Sequence, residues 1–513
     1  MKQSLRGFLA ATLMALLVAG CATQSPSVVD RIPDQDPGQL LSQAEEQEPE
    51  QAAKTRLEAA NIFARQGERE DAFDAAGDID EQALSESDRV RWALLFSELA
   101  RALDEPDSVL RATQVLDDEL AMQSDEQRTL EDRQRWARET LDKPDPERFA
   151  LPELEGETIN RVAVALPESG ALSNVAETLA SAMRRHHDIK GDDVELSFLD
   201  ASKYSLNELY DRAQQMNAQV MIGPLDKEQV TQLEQRDSVP VPTLALNYGS
   251  SERNQAKRLF QFGLSAEDEA RQAAHRAWQD GHRKMTLMVP DNDWGQRVGE
   301  AFWNQWQRQG GDITNAVRYN PENPVSDAVK TALNVRGERA QLDDIDALFL
   351  LALPDYARQV PPTMDYHYAQ DLPVYATSHL HEGGRQTRLD QDLNDVMFMD
   401  IPWQIPDAAV GGEEVLPFYD SYQRLREESD ASTFRLMAMG VDAYEIATRL
   451  SDFSELEGLD GSTGKLFLTG DGRIYRELPW AKFQNGTPSP ILIPGLLGDE
   501  EEDQEDNDER DDD

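Results

Sequence analysis

The sequence predicts an all-helical region followed by a two-lobed α/β domain, and three observations carry that expectation. From about residue 45 to 143, Ala, Leu, Glu, Arg and Gln dominate, with apolar residues at helical spacing. From about residue 158, short apolar runs alternate with helical segments, the pattern of parallel sheets covered on both faces. The chain of 513 residues is 39% hydrophobic, which supplies a core, and its length suits two to four domains.

Charge narrows the function classes. Asp and Glu number 98 against 50 Lys and Arg, a formal net charge of -48, so no nucleic acid partner is expected. A single Cys excludes an internal disulfide, and the 7 His form no pattern of zinc-ligand spacing, so neither metal nor cofactor is expected.

The N-terminus reads as an address. Lys2 and Arg6 precede an apolar run from Gly7 to Val18, the form of a signal peptide over residues 1–20 and too short for a comfortable membrane span. Leu17-Val-Ala-Gly-Cys21 resembles a bacterial lipobox, in which Cys21 is the lipid attachment site. Each buried acyl methylene is worth about 0.8 kcal/mol, so a multiply acylated Cys21 anchors the chain without spanning the bilayer. By the same resemblance, Ala22 in place of Asp implies the periplasmic face of the outer membrane. Residues 21–44, rich in Ser, Pro, Gln and Asp, read as a flexible tether.

Within 45–143, Leu57, Ala60 and Ala64 mark one helix that stops near Gly67, and Ala72, Ala75 and Ala76 mark a short partner. Ser87-Asp88 is the expected cap of the next, with Val90, Leu94, Leu95 and Leu99 as its apolar stripe before a break at 104–107. Hairpins of the tetratricopeptide kind and an irregular bundle both fit. A Pro- and Glu-rich linker covers 144–157. The α/β domain spans 158–495, with strands expected at Arg161–Leu166, Val194–Leu199, Gln219–Pro224, Pro242–Leu246, Lys284–Val289, Asp346–Leu351 and Pro373–Ala376. Lobe 1 is expected over about 158–262 and 405–452, and lobe 2 over about 263–404 and 453–495. From Asp499 to the end, twelve of fifteen residues are acidic and one is Arg, so residues 496–513 read as a solvated acidic tail.

Enzyme chemistry finds little footing. Gly461-Ser-Thr-Gly464-Lys465 is near a phosphate loop, but Leu459 stands where that loop needs Gly and Leu466 where it needs Ser or Thr; it reads as a β-turn between short strands. No GxSxG elbow occurs, and the many carboxylates offer no privileged pair. Asp291-Asn-Asp-Trp-Gly295 follows a strand at the end where open α/β sheets place ligands, with Asp293 either a ligand contact or a helix cap. His379 and His381 lie near the same cleft and read as solvated loop residues.

Strings dispersed over the α/β domain carry a resemblance: Ile222-Gly-Pro-Leu225, Phe262-Gly-Leu-Ser-Ala-Glu-Asp-Glu-Ala270, Val289-Pro-Asp-Asn-Asp-Trp-Gly295, Val374-Tyr-Ala-Thr-Ser378, Asp400-Ile-Pro-Trp403 and Asp471-Gly-Arg-Ile-Tyr-Arg-Glu-Leu-Pro-Trp480. The domain resembles type I periplasmic binding proteins, and the whole chain is similar to the LpoA family of penicillin-binding protein activator lipoproteins. The resemblance implies a non-enzymatic outer-membrane lipoprotein that binds a class A penicillin-binding protein and stimulates peptidoglycan cross-linking. Its helical region is shorter than that family's, and the acidic tail is an addition. The alternative is a lipid-anchored receptor for an amino acid or other small solute. Ser169, Asn247, Phe262, Asp293 and Trp294 are the candidate cleft or partner-facing residues; polar groups converging on a void favour the receptor, and a filled cleft favours docking.

Overall fold

The computed structural model describes residues 36–491, except 117–119, 121, 142–153, 155–157, 252–253, 255, 384–385, 429–430, 452, 454–457 and 470. The signal peptide, Cys21, all but one residue of the linker, and the acidic tail lie outside the described residues.

The N-terminal region is built from helices α1 (Pro37–Ala44), α2 (Pro49–Gln66), α3 (Arg69–Gly77), α4 (Glu86–Ala102), α5 (Pro106–Ala112) and α6 (Ser124–Thr140), each packed on its chain neighbour. Helix α1 falls inside the expected tether. Asp36 caps it, Pro37 opens it, and Leu40 and Ala44 bury on the α2 side, so eight residues suffice once a partner covers them. Helix α2 ends where Gly67 takes a left-handed φ of 81°. The cap of α4 is Ser85, whose Oγ accepts the Asp88 N–H at 3.2 Å, two residues before the expected position. Trp92 is fully buried at the centre, its indole donating to the Ala76 carbonyl at 2.9 Å.

Two α/β lobes follow. Lobe 1 holds parallel strands β1 (Arg161–Leu166), β2 (Glu195–Asp200), β3 (Val220–Ile222), β4 (Ser238–Ala245) and β5 (Lys257–Gln261), in the order β2-β1-β3-β4-β5. Helices α7 (Ser173–Lys190), α8 (Leu206–Gln215) and α9 (Lys227–Glu234) connect them. Lobe 2 repeats the pattern. Helices α10 (Ala266–Gln279), α11 (Asp293–Arg308) and α12 (Val325–Ala332) accompany β6 (Lys284–Pro290), β7 (Asp312–Tyr319), β8 (Ala347–Leu350), β9 (Val374–Ala376) and β10 (Met397–Met399), whose order is β7-β6-β8-β9-β10. Helices α13 (Tyr419–Glu428) and α14 (Ala431–Thr448) then return to lobe 1. Strands β11 (Leu459–Gly461), β12 (Gly464–Leu468) and β13 (Ile474–Glu477) form a small antiparallel sheet, and β14 (Trp480–Gln484) and β15 (Thr487–Pro490) extend the lobe 2 sheet beyond β10.

Two lobe boundaries differ from expectation. Residues 453–478 are not wholly in lobe 2: Phe453, Leu466 and Ile474 bury with Val162, Val164 and Phe260 of lobe 1, and Gln261 bridges in parallel to Arg473, so chain and core pass to lobe 2 only at Leu478. Nor does lobe 2 end at 404, because Ile405 packs with Leu350, Phe398 and Phe483, and Pro406–Val410 covers β14 and β15.

The helical region docks on both lobe 2 and the small sheet. Arg65 pairs with Asp312 and Arg308 with the buried Glu126, the Trp278 indole donates to Glu98 at 3.2 Å, and the Arg128 guanidinium stacks 3.7 Å over the Phe467 ring. A Cβ on Gly310, whose φ is +88°, would sit 2.7 Å from Asn61 Oδ1 across this contact. Breaking a pair that leaves one charge buried costs more than a surface pair contributes. A double-mutant cycle over Arg308→Ala and Glu126→Gln is expected to give a coupling of about 1–3 kcal/mol in urea unfolding; additivity would contradict the contact.

Candidate functional site at the interlobe junction

Both lobes share a strand order that reverses beside one strand, β1 in lobe 1 and β6 in lobe 2, and ligands of open α/β sheets bind outside the carboxyl ends at such points. Ser169 follows β1 and is exposed, its hydroxyl donating to Ser202 Oγ at 2.9 Å. Asn247 follows β4, half-buried; its amide donates to the Leu225 carbonyl at 3.0 Å and its Oδ1 accepts the Tyr248 N–H at 2.9 Å. Phe262 is no cleft residue: it is fully buried in the lobe 1 core.

Across the junction, Asp293 is exposed in the first turn of α11, and the cap is Asn292, whose Oδ1 accepts the Gly295 N–H at 2.8 Å. Glycine is required at 295, since a Cβ would lie 1.9 Å from the Pro290 carbonyl oxygen. Trp294 is half-buried against the lobe 2 core with its ring 5.1 Å from that of His379. His379 Nδ1 lies 3.1 Å from Thr377 Oγ1 and 3.7 Å from Glu269 Oε2, and Glu269 accepts the Ser378 N–H at 2.9 Å. Trp294 and His379 thus meet, whereas Ser169 and Asn247 are held by their own lobe.

His381 is not a solvated loop residue. It is buried with Nδ1 2.8 Å from Asp400 Oδ2, because Arg435 of α14 closes over the same carboxylate. Arg435 donates to Asp400 Oδ1 at 2.9 Å and Oδ2 at 2.6 Å, and to the carbonyls of His381 at 2.9 Å and Ser378 at 3.2 Å. Burial alone would raise the Asp400 carboxyl, but the Arg435 charge and the His381 hydrogen bond outweigh it and hold the carboxyl below its ordinary range.

The Gly461-Ser-Thr-Gly464 turn also finds its role here. It joins β11 to β12, and its amides bind the chain's own carboxylate: Asp442 of α14 accepts Ser462 N–H at 2.6 Å, Thr463 N–H at 2.8 Å and the Thr463 hydroxyl at 2.6 Å. Complete burial outweighs these donors and pushes Asp442 up to about 6. Next to this turn, Arg476 donates to the carbonyls of Gly263 at 3.0 Å and Thr463 at 3.2 Å. Gln272 of α10 donates to the Arg476 carbonyl at 2.9 Å and accepts the Leu478 N–H at 3.1 Å. The first and third crossings between the lobes are thereby tied together.

One further constellation has the order of a nucleophile, base and acid. Ser421 Oγ is 2.8 Å from His186 Nδ1, and His186 Nε2 is 2.6 Å from Glu445 Oε1. Ser421 is only 2% exposed, and Phe418 and Tyr444 pack edge-on to the imidazole, so a substrate carbonyl does not reach the hydroxyl. Burial raises the Glu445 carboxyl, but His186, Lys190 and Arg449 together bring it down to about 2, and the set straps α7 to α13 and α14. Neither this set nor the Asp400 and Asp442 clusters was foreseen; an Asp and a Glu inside the apolar run Met437–Thr448 were the available signal.

Residues 146–486 match the family model described as LppC putative lipoprotein. The chain belongs to the LppC family. Among its relatives, the LppC chain is 28% identical over 332 residues to the penicillin-binding protein activator LpoA of Edwardsiella ictaluri, covering 58% of this chain and 47% of that one. It spans about half the length of the curated relatives it matches. The solved C-domain of Haemophilus influenzae LpoA, described as a regulator of PBP1A, is 25% identical with a TM-score of 0.54, covering 65% of this LppC chain and all of that domain. Full-length LpoA from the same organism, at 20% identity and a TM-score of 0.56, covers 89% of this chain and 98% of that one and shares the whole fold, helical region included.

Two measurements check the buried charges. Arg435→Met takes the guanidinium from the buried Asp400 carboxylate, which keeps its His381 contact, and is expected to cost about 3 kcal/mol in chemical unfolding; a loss below about 1 kcal/mol would contradict the pairing. Asp442 is raised in the fold from 3.8 to about 6, so the stability it contributes is complete below about pH 4 and disappears as pH rises through about 6. The stability of the parent chain relative to Asp442→Asn is therefore expected to fall by something on the order of 3 kcal/mol between pH 4 and 7, and a pH-independent difference would refute this.

Proposed function

We propose that this LppC protein binds and activates a class A penicillin-binding protein and thereby stimulates peptidoglycan cross-linking. The observation that carries the reading is the LppC family match over 146–486, joined by relatives named as penicillin-binding protein activators. The junction supports it as well. Phe262 is core, Ser169 and Asn247 are engaged by their own lobe, and Arg435 reaches into lobe 2, so the candidate polar groups do not converge as a solute receptor needs. No step of the reading calls on a catalytic residue of this chain. Tighter binding to the active conformer of the synthase than to the idle one shifts that equilibrium by the difference in affinity.

The same proposal places the chain at the periplasmic face of the outer membrane, anchored by lipid on Cys21, with residues from Ala22 onward bridging toward the synthase. Among the described residues no helix is long and apolar enough to cross a membrane.

Added to its cognate synthase and lipid-linked substrate, the purified chain is expected to raise the cross-linked fraction of the product. Tight binding with unchanged cross-linking would reject activation, and retention of an amino acid by residues 158–491 would favour the receptor instead. Cys21→Ala is expected to move the protein from the membrane pellet to the soluble periplasmic fraction.

A further inference from the structure

A groove of about 430 Å³ opens where lobe 2 meets the small sheet. One wall is the segment after β10, with Pro402, Val410, Val415 and Pro417. The other is the outer face of the sheet, where Asp460 stands opposite Lys465 and Lys465 opposite Glu477. Val410 is 39% and Val415 59% exposed, which places aliphatic side chains in water at the rim of a strongly acidic molecule. Asp460 and Glu477 are exposed and form no ion pair among the described residues. Glu413, near Val415, is paired with Arg426 at 2.7 Å, and Glu477 feels the charge of Arg128, so the groove itself sets two carboxylates, Asp460 and Glu477, on either side of Lys465. The sheet face does not continue open. Phe467, two residues beyond Lys465, is covered by Arg128 of the helical region at 3.7 Å.

Charge selects the occupant. A second copy of this chain brings -48, and the segment from Asp499 onward is almost wholly acidic, so both meet the rim with like charge. A basic partner does not. We propose that this groove receives an extended segment of the class A synthase, which seats an apolar side chain against Val410 and Val415 and sets Lys or Arg side chains against Asp460 and Glu477. This rests on the activator reading and gives it a surface. An occupant touches lobe 2 on one side and the small sheet on the other, so its affinity depends on how the lobes are set.

The test measures binding of the full chain after Cys21 to the purified periplasmic part of its cognate synthase. Val415→Asp, and separately Asp460→Lys with Glu477→Lys, are expected to weaken binding about tenfold or more, with unfolding temperatures within about 2 °C of the parent. Glu195→Lys, a charge reversal at an exposed position on the edge strand β2 of lobe 1, is expected to stay within about twofold of the parent. Parent-like binding by both groove variants overturns the groove and leaves the activator reading standing, whereas no binding by the parent overturns both. The two groove variants share no substituted residue, so if circular dichroism shows one misfolded, the other decides.

Discussion

The mutual setting of the two lobes depends on a buried polar cluster at the hinge. Arg476 holds the backbone of the first crossing at Gly263 and the turn at Thr463, Gln272 holds the third crossing at Leu478, and Asp442 pins the same turn from α14. A buried cluster of this kind specifies one arrangement while its partners are in place, and removing one partner leaves a buried polar or charged group unsatisfied. Because the groove and the interlobe junction are bounded by elements from both sides of the hinge, their shapes follow from that arrangement and not from either lobe alone.

Basic and acidic side chains are both drawn into the fold. Arg133, Arg435, Arg473 and Arg476 are drawn into internal contacts with carboxylates or carbonyls, and Arg65 and Arg308 into the junction with the helical region. The fold takes in acid as well, Glu126 and Asp400 beside these cations and Asp442 and Glu445 elsewhere, so the internal charges offset one another and the solvent-facing surface keeps the chain's acidic excess. Salt screens such a surface over about 8–10 Å. Short-range complementarity at a rim such as Asp460 and Glu477 therefore survives screening better than long-range repulsion does.

Strands buried on both faces were legible in the sequence because each reads as a continuous apolar run: β1, β3, β6 and β8 fall where expected. Strand β7 was not, since its burial alternates residue by residue along Asp312–Tyr319 and looks like no apolar run. The three-residue strand β10 and the hairpin β14–β15 are too short or too polar to show. The lobe boundary failed for a related reason: nothing local in 453–478 tells that Leu466 and Ile474 will bury beside Val162, because the pairing of Gln261 with Arg473 joins residues more than two hundred apart. Of the candidate site, the strand ends were legible and the side chains were not. Asp293 looked like a cap, yet Asn292 caps, since only its Oδ1 reaches the Gly295 N–H. The Asp400 and Arg435 pair, formed across two elements, had no sequence spacing to announce it.

A protein that activates another without chemistry of its own has to discriminate between two states of its partner, and a rigid surface does this better than a compliant one. If the activator yields as readily as the synthase, part of the difference in binding free energy goes into deforming the activator, and the shift in the partner's equilibrium shrinks accordingly. The hinge cluster and the Arg435 closure over Asp400 oppose such yielding between the lobes, and the strap through His186 and Glu445 stiffens the helices of lobe 1. A solute receptor needs the opposite property, lobes free to open and close around a ligand. The physical case for docking over reception therefore lies less in any one residue of the cleft than in how many buried contacts resist relative motion of the lobes.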